Sequence, residues 1–505
     1  MPATRGKPLQ LFDSMTRMLR EFVPVRAGKA GIYSCGPTVY NYAHLGNLRA
    51  YLFTDTLRRV LLFKGYAVTQ VMNITDVGHL TSDADAGEDK MEKAAAQQHR
   101  SVWDIARHYT DAFLADMAAL NILPPDHQPK ATDHIQGMID FNRKLEAAGH
   151  TYLLPDGLYF DTSTVPDYGR LGRLDIEGQK AGARVADTHG KRNPTDFCLW
   201  RKSPADSRRL MEWDSPWGTG APGWHLECSE MSLRFLGAPF DIHTGGIDHR
   251  QVHHCNEVAQ NMGFLGNGDA GVRYWLHNEF LVLGDDKMSK SKGGFLRLQT
   301  VLDQGIHPLV YRYFCLQASY RKPLEFGWEG LKGAGAGLKR IHLRVAELAA
   351  RAGADTATRL RDAVANPLTA DVAALSTPLA DGARRYLADL DAALSDDLNT
   401  PRALAALNTL LADDALAATD ALRLAALFEL VLGIRLLAMT ADDLNLRAKD
   451  AALTDDRISA LIEERNLARK NRDFARADAI RDELDAGGVL IKDGPQGTTW
   501  EWKPA

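Results

Sequence analysis

The chain is poor in cysteine. Its five, Cys35, Cys198, Cys228, Cys255 and Cys315, are scattered through 505 residues with no CxxC pair. An odd, widely spaced set excludes a disulfide framework and suits a reducing compartment. Residues 1–20 hold no apolar core, so no signal peptide is expected and the localisation expected is cytoplasmic. Long hydrophobic runs are missing as well. The most apolar stretch, Leu424 to Met439, is interrupted by Glu429 and Arg435, which excludes a membrane span. Neither sign of charge dominates: 60 Lys and Arg face 65 Asp and Glu, a net charge of −5. That rules out a histone-like basic coat but not a local nucleic-acid patch. No GxxxxGK[ST] occurs, so a P-loop is excluded. A GxGxxG match, Gly218 to Gly223, contains Pro222 and follows no strand pattern, so it is not a dinucleotide fingerprint. No repeat of solenoid period is found. The length suits about three or four domains.

What is present reads as α/β. Residues 31–36 (GIYSCG) and 67–74 (AVTQVMNI) have the pattern of buried strands. Between them, Asn47 to Gly65 predicts a helix with Leu48, Leu52, Leu57, Leu61 and Leu62 on its apolar face. Further on, APFDIH (238–243) and NEFLVLG (278–284) predict two strands around a helix at HHCNEVAQNM (253–262). Residues 126–218 differ, with turn clusters and a charged, Gly-rich stretch at 172–192; they read as an insertion that splits one α/β domain. Residues 338–447 are rich in Ala and Leu, and the helical spacing of Leu predicts a packed bundle. Asn399-Thr400-Pro401 predicts a helix cap with proline at the first helical position.

Two segments suit a nucleotide. Cys35-Gly36-Pro37-Thr38-Val39-Tyr40-Asn41-Tyr42-Ala43-His44-Leu45-Gly46-Asn47 joins the first strand to the first helix, where free N–H groups and the helix dipole favour an anion. His44-Leu45-Gly46-Asn47 alone is equally a helix cap with a surface histidine. Lys287-Met288-Ser289-Lys290-Ser291, glycine-flanked and after an apolar strand, places lysines where a leaving polyphosphate gathers charge. The bland alternative is a solvated basic loop. His253 and Glu257 share a helix face, Cys228 closes Gly223-Trp224-His225-Leu226-Glu227-Cys228, and Cys35 ends a strand. Two thiolates, an imidazole and a carboxylate make a zinc set, although buried structural Cys and satisfied core His fit the spacing as well. Cys255 falls about 200° from His253 on the helix and points elsewhere.

Taken in order, CGPTVYNYAHLGN, NITDV (Asn73 to Val77), GWHLECS, HHxNE, KMSKS and a terminal RNxARxxxDFxxADxIRDEL…DGPQGTTW closely resemble the cysteinyl-tRNA synthetases, nearly end to end. The resemblance implies a class I synthetase. Its Rossmann-type parallel-sheet catalytic domain would occupy 11–125 and 219–283, with the connective insertion at 126–218. The KMSKS loop and stem-contact region would follow at 284–337, a helical-bundle tRNA-binding domain at 338–447, and a small anticodon module at 448–505. It implies zinc ligands Cys35, Cys228, His253 and Glu257, one Zn²⁺ per chain, and Mg²⁺ carried with ATP. It implies ATP contacts and catalytic roles for His44, Gly46, Asn47, Lys287, Ser289 and Lys290, a cysteine pocket with Gly36, Thr38, Trp224 and His243, and anticodon contacts from Arg469, Phe474, Asp478 and Asp493. Substrates would be L-cysteine, ATP and tRNA(Cys), handled by a monomer through a cysteinyl-adenylate. Two departures stand out: Asn47 replaces a common His, and Gly245 to Val252 with Cys255 differs from the usual Phe-Pro-His-His-Glu-Asn-Glu.

Zinc has a chemical rationale there, because serine is nearly isosteric with cysteine and only a soft, thiol-preferring ligand site separates them well. The short insertion agrees with the lack of need for an editing domain. Two rival functions remain. A ligase that passes activated cysteine to an amino sugar-inositol shares the catalytic domain, but the long carboxy-terminal region argues against it. A non-catalytic tRNA-binding paralogue has no use for intact HLGN and KMSKS. Between Arg457 and Arg481, seven basic residues face four acidic ones. Arg465, Arg469, Arg472 and Arg476 step by four, three and four, which predicts one helical face for tRNA; a solvated, ion-paired helix is the alternative.

Overall fold

The computed structural model describes residues 6–78, 90–174, 190–204, 209–283, 296–445, 453, 455–494 and 497–502. Four parallel strands form the central sheet in the spatial order Val272–Asn278, Phe240–Gly246, Lys29–Ser34, Ala67–Met72. The helix Leu45–Phe63 links Lys29–Ser34 to Ala67–Met72, and His253–Leu265 links Phe240–Gly246 to Val272–Asn278. The chain thus moves outward in both directions from the middle pair, and the order reverses between Lys29–Ser34 and Phe240–Gly246. At such a switch point a crevice opens at the carboxyl ends of the strands. Cys35 and Gly246 mark that edge.

The first helix runs through the middle of the protein. Even its Arg49, Asp55, Arg58 and Arg59 are buried, so their charges are compensated inside. The Asp55 carboxylate accepts from Arg59 Nε at 2.8 Å and from Arg312 Nη2 at 2.6 Å. The same arginines donate to the carbonyls of Leu430 and Leu432. They thereby meet the carboxyl end of the helix Ala418–Leu432, where the dipole favours cations. This buried ion group fastens the sheet domain to the helical region.

The strands and helices read from 31–74 and 238–265 form where expected. NEFLVLG does not form one strand. The sheet strand stops at Asn278, and Leu281–Leu283 pairs instead with Leu324–Phe326. The break follows from capture of Glu279 and Phe280: the Glu279 N–H donates to Tyr320 O, and the Phe280 carbonyl accepts from Leu324 N.

The insertion contains the helix Ile135–Ala147 and a four-stranded antiparallel sheet, Thr151–Leu154, Gly157–Phe160, Phe197–Lys202 and Gly220–Pro222. Its last strand lies past residue 218, the boundary expected from sequence. The decoy glycines 218–223 flank and form this edge strand. The helical region includes Trp328–Ala352, Ala354–Val364, Asp381–Ser395, Thr400–Leu411 and Ala418–Leu432. Trp328–Ala352 runs unbroken through residue 338, so the compositional change there is not a structural boundary. Gly330, Gly333, Gly335 and Gly337 weaken its helical signal, yet buried Leu331, Ala334, Leu338 and Ile341 align on one face and hold it. Asn399 caps the next-to-last of these helices by accepting from Arg402 N; Thr400 takes the first position, so Pro401 is second rather than first. Among the described residues no helix is long and apolar enough to cross a membrane. The terminal part folds as two helices, Asp455–Lys470 and Phe474–Ala486, and a hairpin, Val489–Gly494 with Gly497–Trp502, around its own core of Ile458, Leu461, Ile480, Leu484 and Val489.

Candidate active site and metal centre

The HLGN segment builds a helix start from polar side chains. His44 is the N-cap: its Nδ1 accepts from Asn47 N–H at 3.2 Å, while Asn47 Oδ1 accepts from His44 N–H at 3.2 Å. This is a capping box made with an imidazole and an amide. Burial lowers the His44 pKa despite an opposing pull from Asp248, so the ring is neutral. With Nδ1 accepting, its proton sits on Nε2. Asn47 is therefore more than a substitute for a histidine: it completes the cap. Gly36 lies beside this start, donating its N–H to Asn73 Oδ1 at 2.8 Å. A Cβ at position 36 would fall 1.6 Å from the Asn73 carbonyl oxygen, so no other residue fits. A cavity of about 760 Å³ opens here, lined among others by Gly36, Thr38, His44, Gly46, Asn47 and Trp224.

Cys35, Cys228 and His253 also face this cavity. With Glu257 they bring one donor atom each to within 4.8 Å of one another. They arrive from a strand end, the helix Trp224–Leu236 and the helix His253–Leu265, which explains why spacing alone could not join them. The separations suit a tetrahedral zinc. Bonds of about 2.3 Å to sulfur put two thiolates about 3.8 Å apart, and bonds of about 2.0–2.1 Å to nitrogen and oxygen give about 3.4 Å. The observed Cys35–Cys228 Sγ distance is 3.9 Å, and His253 Nε2 to Glu257 Oε1 is 3.2 Å. Glu257 Oε1 is buried and, among the described residues, has the His253 ring close to it but no well-aligned hydrogen bond, so a cation would satisfy it. The other oxygen, Oε2, is held by His243 Nε2 at 2.9 Å, and His253 Nδ1 is engaged by His225 Nδ1 at 2.8 Å. The two candidate ligands other than the thiols, Glu257 and His253, are thus each oriented by a histidine behind them.

Burial opposes the charged form of Glu257, but His243 and His253 outweigh it and hold the carboxyl down to about 2. Burial likewise disfavours a charged His253, yet Cys35 and Glu257 raise it to about 10. Cys35 and Cys228 divide one ionisation. Burial opposes the Cys35 thiolate, while Cys228 and His254 stabilise it, and Cys228 is pushed up chiefly by its bond to Cys35. An overlapping set, Cys35, His243, His254 and Glu257, is also within reach. Its His243 is already engaged with Glu257 through Nε2. The first set leaves that bond intact.

One expected pocket residue is displaced. His243 does not reach the cavity; it is fully buried beneath Glu257, its ring stacked on Trp275 at 4.6 Å. A strand residue pointing into the sheet's packed face becomes a support rather than a wall. Trp224 does line the cavity, 4.7 Å from the His253 ring. Cys255 points away, as expected, accepting from Gly172 N and donating to Arg250 O. Sequence reasoning missed His225, His249 and His254. His254 Nε2 lies 3.3 Å from Cys35 Sγ and its Nδ1 2.8 Å from His277 Nε2. The doublet at 253–254 and the His in GWHLECS were the available signals. Lys287, Ser289 and Lys290 lie outside the described residues.

The terminal module corrects the arginine stripe. The helix ends at Lys470, Arg472 turns through a φ of 61°, and Asp473 caps a second helix by accepting from Arg476 N. Arg465 and Arg469 therefore lie on one helix and Arg476 on the next, where it pairs with Glu464 at 2.6 Å. Asp493 does not present a vacant base-edge acceptor. Arg465 grips it through both η nitrogens, at 2.9 and 2.8 Å, while Arg469 and Thr498 donate at 2.6 and 2.8 Å. Arg469 and Asp493, expected to meet bases, meet each other. Phe474 is 62% exposed and Asp478 is exposed.

The chain is similar to known proteins along its whole length. The family described as tRNA synthetases class I (C) catalytic domain matches residues 21–335, and the cysteinyl-tRNA ligase anticodon binding domain matches 452–500. A cysteine--tRNA ligase of Novosphingobium aromaticivorans is 51% identical over 511 aligned positions, covering 100% of this chain and 99% of its own. One from Zymomonas mobilis subsp. mobilis is 49% identical over 516, covering 99% of each. The Agrobacterium radiobacter K84 LeuRS in its ternary complex superposes with a TM-score of 0.53 at 13% identity, over 84% of this chain and 85% of that one, a likeness of fold alone. With a catalytic and an anticodon family matched in order, and relatives of about half identity along the whole length, the chain belongs to the cysteinyl-tRNA synthetase family of class I aminoacyl-tRNA synthetases.

Proposed function

We propose that this protein joins L-cysteine to tRNA(Cys) in two steps, through a cysteinyl-adenylate. The observation that carries the reading is the convergence of Cys35, Cys228, His253 and Glu257 on a cavity whose rim is the helix start of His44 and Asn47. A nucleotide and a thiol-selecting centre belong together in that arrangement.

ATP enters as its Mg²⁺ salt. The cysteine carboxylate attacks the α-phosphorus in line, forming the mixed anhydride as the bond to pyrophosphate breaks. His44 donates from Nε2–H to the charge developing on phosphate, and the Asn47 side-chain amide has its N–H groups available because its oxygen is used in the cap. Lys287 and Lys290 hold the departing pyrophosphate, and Ser289 supports them. Gly36 permits close approach to the backbone, and Thr38 and Trp224 flank the amino acid. In the second step a hydroxyl of the terminal tRNA ribose attacks the carbonyl of the adenylate and AMP leaves. A zinc held by the four ligands supplies a soft Lewis acid that favours a thiolate over a hydroxyl. His243 and His225 keep Glu257 and His253 aimed.

The insertion that begins near residue 126 and ends with the strand Gly220–Pro222 acts as the connective domain, the region from 284 to the start of Trp328–Ala352 contacts the acceptor stem, and the helices from Trp328 onward with 448–505 bind tRNA. Phe474 is the exposed aromatic that stacks an anticodon base. Cysteine-dependent ATP–pyrophosphate exchange, repeated with serine, tests the reading: exchange with cysteine and not serine supports it, and equal rates contradict it.

A further inference from the structure

Arg49 stands two residues after Asn47 on the first helix, about 200° around it, and does not line the cavity. It is 3% exposed, and its guanidinium collects backbone carbonyls. Nη1 donates to Glu279 O at 2.6 Å and Phe280 O at 2.5 Å; Nη2 donates to Lys322 O at 2.6 Å and, at 3.4 Å, to Ser319 O. These carbonyls belong to two distant segments. One is the break before Leu281–Leu283, the other the approach to Leu324–Phe326, and those strands pair over only three residues each. So short a ladder is marginal by itself. A rigid planar fork buried between its two approaches fixes both to the helix, which a single ammonium could not do.

The held segment matters to the site. Phe280, Leu281 and Leu283 line the cavity together with His44 and Asn47. The far flank is tied to the same helix start: Leu45 N–H donates to Leu296 O at 2.8 Å, and the Arg297 guanidinium lies 4.2 Å from the Tyr42 ring centroid. Both described flanks of 284–295, the segment carrying KMSKS, are therefore referenced to the first turns of the helix that carries His44.

We propose that Arg49 is a positioning residue for adenylation: it sets the cavity wall at 279–283, which in sequence leads directly into the segment holding Lys287 and Lys290, against the helix start. The proposal rests on the role given above to those lysines. A merely structural Arg49 would lower the folded fraction; a positioning one lowers turnover per folded site.

The test uses the zinc-loaded full chain and its Arg49→Lys variant, with Arg49→Gln as the second choice if the first does not fold. Cysteine-dependent ATP–pyrophosphate exchange is measured per active site, alone and in a Lys290→Ala background. The expectation is a fall in kcat of ~10-fold or more, the scale of a small misplacement of reacting groups, with the KM for cysteine within about twofold and zinc content unchanged. In the Lys290→Ala background the same change should cost under ~3-fold, because what it positions is gone. An unchanged kcat, an equal fold loss in both backgrounds, or loss of zinc and cysteine affinity in parallel with activity would overturn the proposal. Absence of exchange in the unaltered enzyme, or full activity of Lys290→Ala alone, would instead overturn the adenylation reading on which it rests.

Discussion

Cys35 and Cys228, separated by 193 positions in the chain, stand with their sulfurs 3.9 Å apart at the mouth of the switch-point crevice. The distance is too long for a disulfide and close to the edge of a zinc tetrahedron. Everything distinctive about the site is arranged around this pair.

Metal analysis of the purified protein should find one zinc per chain. Cys228→Ser and His253→Ala should each lose most of it, while Cys255→Ala should keep it, since Cys255 is bonded to Gly172 and Arg250 on the opposite side of its helix. Retention of zinc by His253→Ala with loss in Cys255→Ala would mean a different ligand set.

Lys290→Ala should lower cysteine-dependent exchange by about 10²-fold or more, the usual size of a lost electrostatic contact to the transition state. An unchanged rate would remove Lys290 from the reaction.

Asp55→Ala leaves Arg59 and Arg312 buried without their carboxylate. Removing one partner of a fully buried ion group costs ~3–5 kcal/mol, so urea denaturation should show a fall of that order. A loss under about 1 kcal/mol would show that the carbonyls of Leu430, Leu432 and Asn121 suffice for the two arginines.

Asp116, on the helix Val102–Ala119, has its pKa raised to about 6 by burial, with Arg297 opposing. Its unfolded value is near 3.9. Below both values the group is neutral in either state and contributes nothing. Between them the folded form keeps a proton that the unfolded form has lost, so stability falls as pH rises from about 4 to 6, and the penalty is complete above 6. Asp116→Asn should therefore raise Tm at pH 7.5 and leave it nearly unchanged at pH 3.5. Equal shifts at both would exclude titration as the cause.

Truncation before residue 455 should spare exchange and lower tRNA charging at least ~10-fold, and Phe474→Ala should raise the KM for tRNA, consistent with about 1–3 kcal/mol for one stacking contact. Asp493→Asn acts differently. By weakening the grip of Arg465 and Arg469 it should lower the melting temperature of the terminal module as well as tRNA binding; a tRNA effect with no stability change would restore Asp493 as a base reader.

Much of this was legible in the sequence wherever a local pattern dictates structure. The strand at GIYSCG, the helix from HLGN and the shared face of His253 and Glu257 follow from periodicity and capping, and the motif order pointed to the four side chains that converge in the structure. What failed depended on partners distant in sequence. NEFLVLG broke because Tyr320 and Arg49 claim the groups of Glu279 and Phe280. His243 turned inward because Trp275 and Glu257 meet it across the sheet. The arginine stripe divided because Asp473 caps a new helix, a signal present in DF but outweighed by the regular spacing.

The most direct test of the account is aminoacylation by the zinc-loaded enzyme, with cysteine and serine offered to tRNA(Cys) and the amino sugar-inositol as competing acceptor. The account predicts rapid cysteine transfer to tRNA, negligible serine transfer, and none to the sugar. Charging of serine at a comparable rate, or preferential transfer of cysteine to the amino sugar, would contradict it.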